Sequence, residues 1–411
     1  MLNKTAQAGA QVDAAPRRPG SGAATAAVAF AFWITMAGTT VPTTLYPIYG
    51  EALGFSPITV TGIFAVYAIG VVVGLLVFGR LSDQIGRRPV LMAATFLSVC
   101  AALVFLAAES VPILFVARVI SGFSAALITG AATASLAELI PQDSRVKPAT
   151  VALFANMGGL ACGTLLAGIL ADLAPSPLRT PWVVTLVLAA IAVIGVGLTK
   201  ETAAHRTSFT FQLQPLHVPA EIRSDFLRSA MAAGAGFAVL GVLTAVTGLF
   251  MGTVLHESSH TLAGLVVFTA FACTALGQLL VRTIKPGAVL AVACLGLMLA
   301  AGLIATAMAT KAFAPLLIGA AVNGLATGMA ISHGIRDITT RSVPQHRGAS
   351  VSTFFAILYS MLAVPAIGVG VLIRATSLRP AGEIFSAVVA VLALVVLLSL
   401  VLTRKPERTP A

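Results

Sequence analysis

Three stretches of this chain hold residue types that could do chemistry. His256-Glu257-Ser258-Ser259-His260 fits H-E-x-x-H, in which two histidines and a glutamate build a zinc peptidase site. That chemistry needs both histidines one turn apart on a continuous helix, plus a third ligand. A second stretch, GRLSDQIGRRP from Gly79 to Pro89, holds an acid, three arginines and two glycines. A third, LFVARVISGFSAA from Leu114 to Ala126, buries one charge, Arg118, in an apolar run. The four cysteines, Cys100, Cys162, Cys273 and Cys294, have no C-x-x-C spacing and read as small apolar packing residues. They predict neither a disulfide nor a metal site. What these groups can do depends on the elements that hold them.

Those elements are set by the solvent. Of 411 residues, 58% are hydrophobic and only 9% are Asp, Glu, Lys or Arg, against roughly 25% charged in soluble domains. So few charges cannot cover a water-facing surface. Apolar runs of spanning length, about 20 residues, recur twelve times. They give an all-α membrane protein with a six-helix half over 23–199 and a second over 227–403. A polar linker, 200–226, joins them, and tails 1–22 and 404–411 read as cytoplasmic, the first as disordered. With the N-terminus inside, 20 of the 25 Lys and Arg residues fall in the inner loops and tails. Arg179, Lys311, Arg374 and Arg379 fall outside, and Arg118 lies within a span. The bias places both termini in the cytoplasm; the small size and short loops are those expected of a protein in a prokaryotic cytoplasmic membrane. The net charge of +11 is then topological, and no basic stripe interleaved with aromatics points to nucleic acid.

The halves repeat. At a shift of 202 residues, Gly50 meets Gly252, Ser56 meets Ser258, Thr59 meets Thr261, Gly62 meets Gly264, Gly122 meets Gly324 and Gly168 meets Gly370. Two related halves are a transporter architecture, with the substrate site between them near the midplane. The same shift lays His256–His260 on GFSPI, a helix start with Ser as N-cap and Pro at the first helical position. Ser258 is therefore expected to cap a span, with the histidines straddling its start in an outer loop. No further acid or histidine is expected nearby, so a membrane zinc peptidase built on His256, Glu257 and His260 is disfavoured.

Gly79, Leu81, Asp83, Gly86, Arg87 and Arg88 match G-x-L-x-D-x-x-G-R-R, the loop signature between the second and third spans of the major facilitator superfamily. With the six-plus-six split, the chain resembles that family over nearly its whole length, among it the twelve-helix proton antiporters of drugs and metabolites. Physically, Gly79 admits a neighbouring helix and Gly86 can take φ > 0 in a tight turn. Asp83 can face a helix N-terminus, and Arg87 and Arg88 can pair with acids, of which Glu138 is the candidate. The resemblance implies that this loop latches one state of an alternating-access cycle. Val281 stands where a second-half Asp would be, so a second latch is not expected. Arg118 and Gly122 resemble the family's R-x-x-x-G motif, which implies a part in proton coupling; a charge at that depth is costly and reads as functional. Gly159, Gly163 and Gly168 resemble the antiporter motif G-x-x-x-G-P-x-x-G-G, although Thr164 replaces its proline and Ala167 a glycine. Ordinary close packing of helices explains them equally.

No acid lies near the middle of any span. The coupling candidates besides Arg118 are His333, a residue type suited to carrying protons, and Asp337. A cavity without a carboxylate has little reason to select cations, so a small neutral, lipophilic or anionic substrate is expected. Thr43, Tyr46, Asn156 and Asn323 are the candidates to bond it, although both asparagines could instead glue helices together. These residues give proton-coupled efflux as the reading, with import of a metabolite by symport or uniport as the alternative. No catalytic residue, metal or cofactor is assigned. The partners are the substrate, protons and the lipid bilayer, with no nucleic acid, and the protein is expected to be a monomer.

Overall fold

The computed structural model describes residues 22–141, 143–203, 216–218, 220–343 and 346–402. Most of the linker and nearly all of both tails therefore lie outside the described residues. Among those residues the chain is helical, with no strand. The first seven helices are α1 (Gly22–Leu53), α2 (Pro57–Phe78), the short α3 (Leu81–Ile85), α4 (Arg87–Leu106), α5 (Val111–Leu139), α6 (Pro148–Leu173) and α7 (Thr180–Gly197). Then follow α8 (Arg223–Thr253), α9 (His260–Leu280), α10 (Val289–Thr310), α11 (Phe313–Arg341), α12 (Arg347–Ala375) and α13 (Leu378–Leu402). All but α3 are long and apolar enough to cross a membrane, giving twelve candidate spans. An even number of spans puts the start of α1 and the end of α13 on one face, the terminal face; the opposite one is the far face.

Sequence explains the boundaries. α2, α5, α6 and α7 each begin with proline in the first turn, where a missing N–H costs nothing. Gly86 has φ 109°, a conformation that only glycine takes without strain, and it turns the chain from α3 into α4. Many threonine hydroxyls inside the spans return to their own helix, as Thr95 does to Leu91 O at 2.9 Å and Thr274 to Ala270 O at 2.8 Å. These hydroxyls thereby avoid the cost of an unmade bond in an apolar medium. Large apolar side chains such as Ile194, Leu198 and Val388 remain exposed, which is the surface a lipid solvent requires.

Small residues set the packing. A Cβ on Gly159 would strike the Trp33 carbonyl, and one on Gly163 the Ala37 carbonyl, so α6 lies against α1 through these glycines. Gly122 lies against α2 at Tyr67 and Gly70, and its repeat partner Gly324 lies against α9 at Ala270 and Cys273. The other matched pair works between halves: Gly168 meets His260 of α9, and Gly370 meets Thr61 of α2. Both contacts are near the far ends of their helices. Gly248 against Pro47 and Gly264 against Thr164 add two more. The halves therefore touch through α2–α12, α6–α9 and α1–α8, closed toward the far face.

Candidate functional site

Where α1, α2 and α6 face α8, α9 and α12, a small central cavity lies between the halves. Thr39, Tyr67 and Met157 line it from one half, and Phe237, Thr244 and Tyr359 from the other. No Asp, Glu, Lys or Arg lines it. Its walls are aromatic and aliphatic, with a few hydroxyls, the composition of a small-molecule site.

Arg118 stands behind this wall and is fully buried. Its Nε donates to the Tyr46 hydroxyl at 2.8 Å and its Nη1 to the Thr39 carbonyl at 2.5 Å. Its Nη2 also donates to the Tyr46 hydroxyl. The guanidinium carbon lies 5.4 Å from the Tyr46 ring, 5.3 Å from Tyr67 and 5.9 Å from Phe105. No carboxylate touches it among the described residues. Burying an ion costs several kcal/mol. Three charge-assisted bonds of about 1.5–3 kcal/mol each, with cation–π contacts near 2 kcal/mol when desolvated, offset a cost of that order. Phe105 is itself fixed by stacking on Trp182 at 4.1 Å, and Trp182 Nε1 donates to the Tyr49 hydroxyl at 2.9 Å.

The other candidates are scattered. Thr43 and Tyr46 line a separate, larger cavity of about 410 Å³ toward the far face. Asn323 is buried and its Nδ2 donates to Gly236 O at 3.3 Å, tying α11 to α8. Asn156 is half-buried on α6, its carbonyl oxygen unpartnered among the described residues. Neither asparagine is among the residues lining the central cavity. His333 and Asp337 sit one turn apart on α11 near the terminal face. His333 Nδ1 is 3.1 Å from Ser229 Oγ and 3.7 Å from Asp337 Oδ2, while Arg341 reaches Asp225 at 2.7 Å. This cluster belongs to the second half, whereas Arg118 belongs to the first.

The α2–α4 loop holds a polar network at the terminal face. Arg87 pairs with Asp83, donates to Ser82 Oγ at 2.8 Å and lies 3.2 Å from Glu138. Thr202 donates to the other Glu138 oxygen at 2.6 Å, and Arg88 donates to the Gly197 carbonyl. Glu201 accepts from the Arg87 backbone N–H at 2.8 Å and from those of Thr202 and Ala203 at 3.0 Å. Burial raises the Glu201 pKa, but bonds from Ala203, Arg87, Arg88 and Thr202 outweigh it and hold the carboxyl below its ordinary value. These contacts join the first half to the start of the linker. Asp83 lies in the first turn of α3 and pairs with Arg87, four residues on.

HESSH is resolved with two corrections. The N-cap of α9 is Ser259, not Ser258: its hydroxyl accepts from Leu262 N at 3.2 Å. An acid does lie nearby, because Asp172 at the far end of α6 reaches across the halves. Its Oδ1 accepts from His260 N and is 2.9 Å from His260 Nδ1; its Oδ2 accepts from Thr261 N at 2.8 Å and Ser259 Oγ at 3.0 Å. His256, at φ 55°, lies in the turn before α9, so the two histidines share no helix. Among the described residues no group of three His, Cys, Asp or Glu is placed to hold a metal ion.

Sequence reading missed Tyr67 and Phe105 around Arg118, Asp172 of α6 against the start of α9, and Glu201 under the arginine loop. One signal was available for the first. All four tyrosines lie within spans, and each hydroxyl in lipid needs a partner.

With this geometry in place, comparison with known proteins is specific. A family model described as Major Facilitator Superfamily matches residues 28–369. A putative multidrug resistance protein MdtD from Klebsiella pneumoniae is 28% identical over 147 residues, 36% of this chain and 31% of that protein. The counterpart from Pectobacterium atrosepticum is 27% identical over 36% of this chain and 32% of that protein. The match thus spans about a third of the length of these curated relatives. Among solved structures, the nucleoside transporter NupG superposes with a TM-score of 0.69 at 14% identity, over 93% of this chain and 100% of that one. The human organic anion transporter MFSD10 gives 0.65 at 16% identity, over 92% of this chain and 100% of that one. Those likenesses carry the fold, two six-helix halves around a central cavity. On the family match and the fold together, the chain is a multi-pass membrane protein that belongs to the major facilitator superfamily.

Proposed function

We propose that this transporter exports a small neutral, lipophilic or anionic compound in exchange for protons, by alternating access about the central cavity. The observation that carries the reading is the cavity's wall. Aromatic rings from both halves meet there without a carboxylate, and Arg118 stands 5.3 Å behind Tyr67. A site with a positive charge behind it and no acid in it disfavours cations and favours electron-rich or apolar compounds. The MdtD relatives are named for multidrug resistance, which supports export of drugs as the direction.

Proton linkage is assigned to Arg118, with His333 and Asp337, 3.7 Å apart, as the coupling pair on the terminal side. The charge bias of the loops supports a cytoplasmic terminal face in a bacterial inner membrane, and a monomer suffices for the cycle. The α2–α4 loop latches one state: with the far face closed its charges are satisfied within the first half and the linker, and its reach to the second half belongs to the opposite state.

The test is a substrate screen in proteoliposomes with an imposed pH gradient. A transported compound is expected to move faster and to a higher level with the gradient. Identical rate and level without it would remove proton coupling from the account.

A further inference from the structure

A second charged cluster lies at the terminal face, in the second half. There the starts of α8 and α10 and the ends of α11 and α13 enclose a cavity of about 380 Å³. Its polar wall is Asp225 and Arg228 of α8 with His333, Asp337 and Arg341 of α11. Ala291 of α10 and Leu400 and Val401 of α13 make the apolar side. Val401 is 59% exposed and Leu402 is 83% exposed, so this end of α13 belongs to the surface that lipid covers. The cavity therefore lies where a span meets the edge of the bilayer.

The charges in it are unevenly satisfied. Asp225 holds Arg341 at 2.7 Å. Arg228 has much less. Its side chain is 19% exposed, and among the described residues its one partner is Asp225, at 3.4 Å. A guanidinium carries five N–H donors, so most of this bonding capacity is unused. Asp337 is the converse. Its side chain is 18% exposed, and its carboxylate accepts no hydrogen bond among the described residues. His333 Nδ1 stands 3.7 Å away and Arg341 Nη1 3.9 Å, both beyond hydrogen-bond reach. Charges held this far from water are costly until they are bonded. Arg228 and Arg341 match Asp225 and Asp337 in number, which leaves no excess charge for a simple anion or a simple cation to neutralise. What is unmet is a donor group and an acceptor group in one chamber. A ligand that meets both brings anionic oxygens for Arg228 and N–H donors for Asp337.

We propose that this cavity holds the headgroup of a phospholipid that carries a phosphate and a primary ammonium, the chemistry of phosphatidylethanolamine. Arg228 takes the phosphate, Asp337 takes the ammonium, and the chains lie along Leu400 and Val401 of α13. The proposal goes beyond the transport reading and stands without it, because it needs no part for His333 or Asp337 in coupling.

Purified protein, stripped of lipid in detergent, is titrated with phosphatidylethanolamine, phosphatidylglycerol or phosphatidylcholine, and bound lipid is counted by native mass spectrometry. Phosphatidylethanolamine should be retained about ten-fold better than the other two, since one lacks a cation and the trimethylammonium of the other has no N–H to donate. Arg228→Gln and Asp337→Asn should each lower its retention about ten-fold, and Asp337→Asn should leave phosphatidylglycerol unaffected. Ala291→Phe adds bulk to the cavity wall without changing charge and should abolish retention. Arg282→Gln removes an exposed charge outside the cavity and should change nothing. Circular dichroism and the elution profile of each variant report its folding. Glycerophosphoethanolamine, the same headgroup without chains, should compete only weakly; competition at equal concentration would assign the site to a soluble compound and overturn the lipid reading. Equal retention of the three lipids by the wild type, or unchanged retention in the folded cavity variants, overturns the proposal. No gradient enters this measurement, so failure of the pH-gradient screen removes proton coupling and leaves the headgroup site intact.

Discussion

Asp172→Asn should shift the protein away from the far-closed state. The carboxylate takes four contacts from Ser259, His260 and Thr261 of the other half, at 2.8–3.0 Å. Two come from backbone N–H groups at the start of α9, where the helix dipole favours negative charge by about 0.3–1 kcal/mol, and up to ~2 when partly buried. Asparagine keeps the shape but loses the charge and turns one oxygen into a donor. Replacing charge-assisted bonds of about 1.5–3 kcal/mol by neutral ones of about 0.5–1.5 loses roughly 1 kcal/mol each. The side chain is 23% exposed, so solvent screens part of this. A net loss of about 2 kcal/mol is a roughly 30-fold change in the equilibrium, if the clamp exists in one state only. The assay is a spin-label distance between Glu109→Cys on the α4–α5 loop and Thr310→Cys at the end of α10, with the four native cysteines replaced. The long-distance population should rise in the variant. An unchanged distribution in folded protein would show that the clamp does not bias the cycle.

Three further outcomes follow from the same contacts. Tyr46→Phe strands two Arg118 donors and should cost about 3 kcal/mol, read as a lower Tm; adding Arg118→Met should recover stability without recovering transport. Gly163→Val drives a side chain into the α1 backbone and should abolish folded protein by size exclusion, while Gly302→Ala, whose Cβ meets open space, should be neutral. The Glu201 pKa is below its unfolded value, so its contribution is present above the ordinary carboxylate range and is lost as pH falls through the folded pKa. Glu201→Gln should therefore lower Tm at neutral pH, and the gap to wild type should close in acid; a pH-independent gap would contradict the assignment.

The spans were legible because lipid leaves the backbone only the helix, and twenty-residue apolar runs show in composition alone. The repeat was legible in its glycines, and Gly168 and Gly370 occupy equivalent contacts between the halves. Arg118 stood out by its cost. Its cage did not, because Tyr46, Tyr67 and Phe105 come from three helices and meet only through packing. Asp172 was hidden for a different reason. It lies at a span end, where an acid is ordinary, and its meaning comes from a helix start 88 residues on. The one-residue slip from Ser258 to Ser259 has a local cause. Without a proline like Pro57, α9 is free to start where Ser259 can cap it and Asp172 can meet its first N–H groups. Asn323 shows the limit from the other side: its type fits substrate binding and helix glue equally, and only packing shows its Nδ2 on the Gly236 carbonyl.

Alternating closure around the central cavity is tested most directly by a lock. A Cβ on Gly370 would lie 3.1 Å from the Thr61 Cβ, a few tenths of an ångström short of the ~3.5–4.5 Å of a disulfide. Thr61→Cys with Gly370→Cys, in protein lacking the four native cysteines, should cross-link α2 to α12 on oxidation. The account predicts that transport in proteoliposomes stops when the pair is oxidised and returns on reduction. Undiminished flux through the fully cross-linked protein would contradict it.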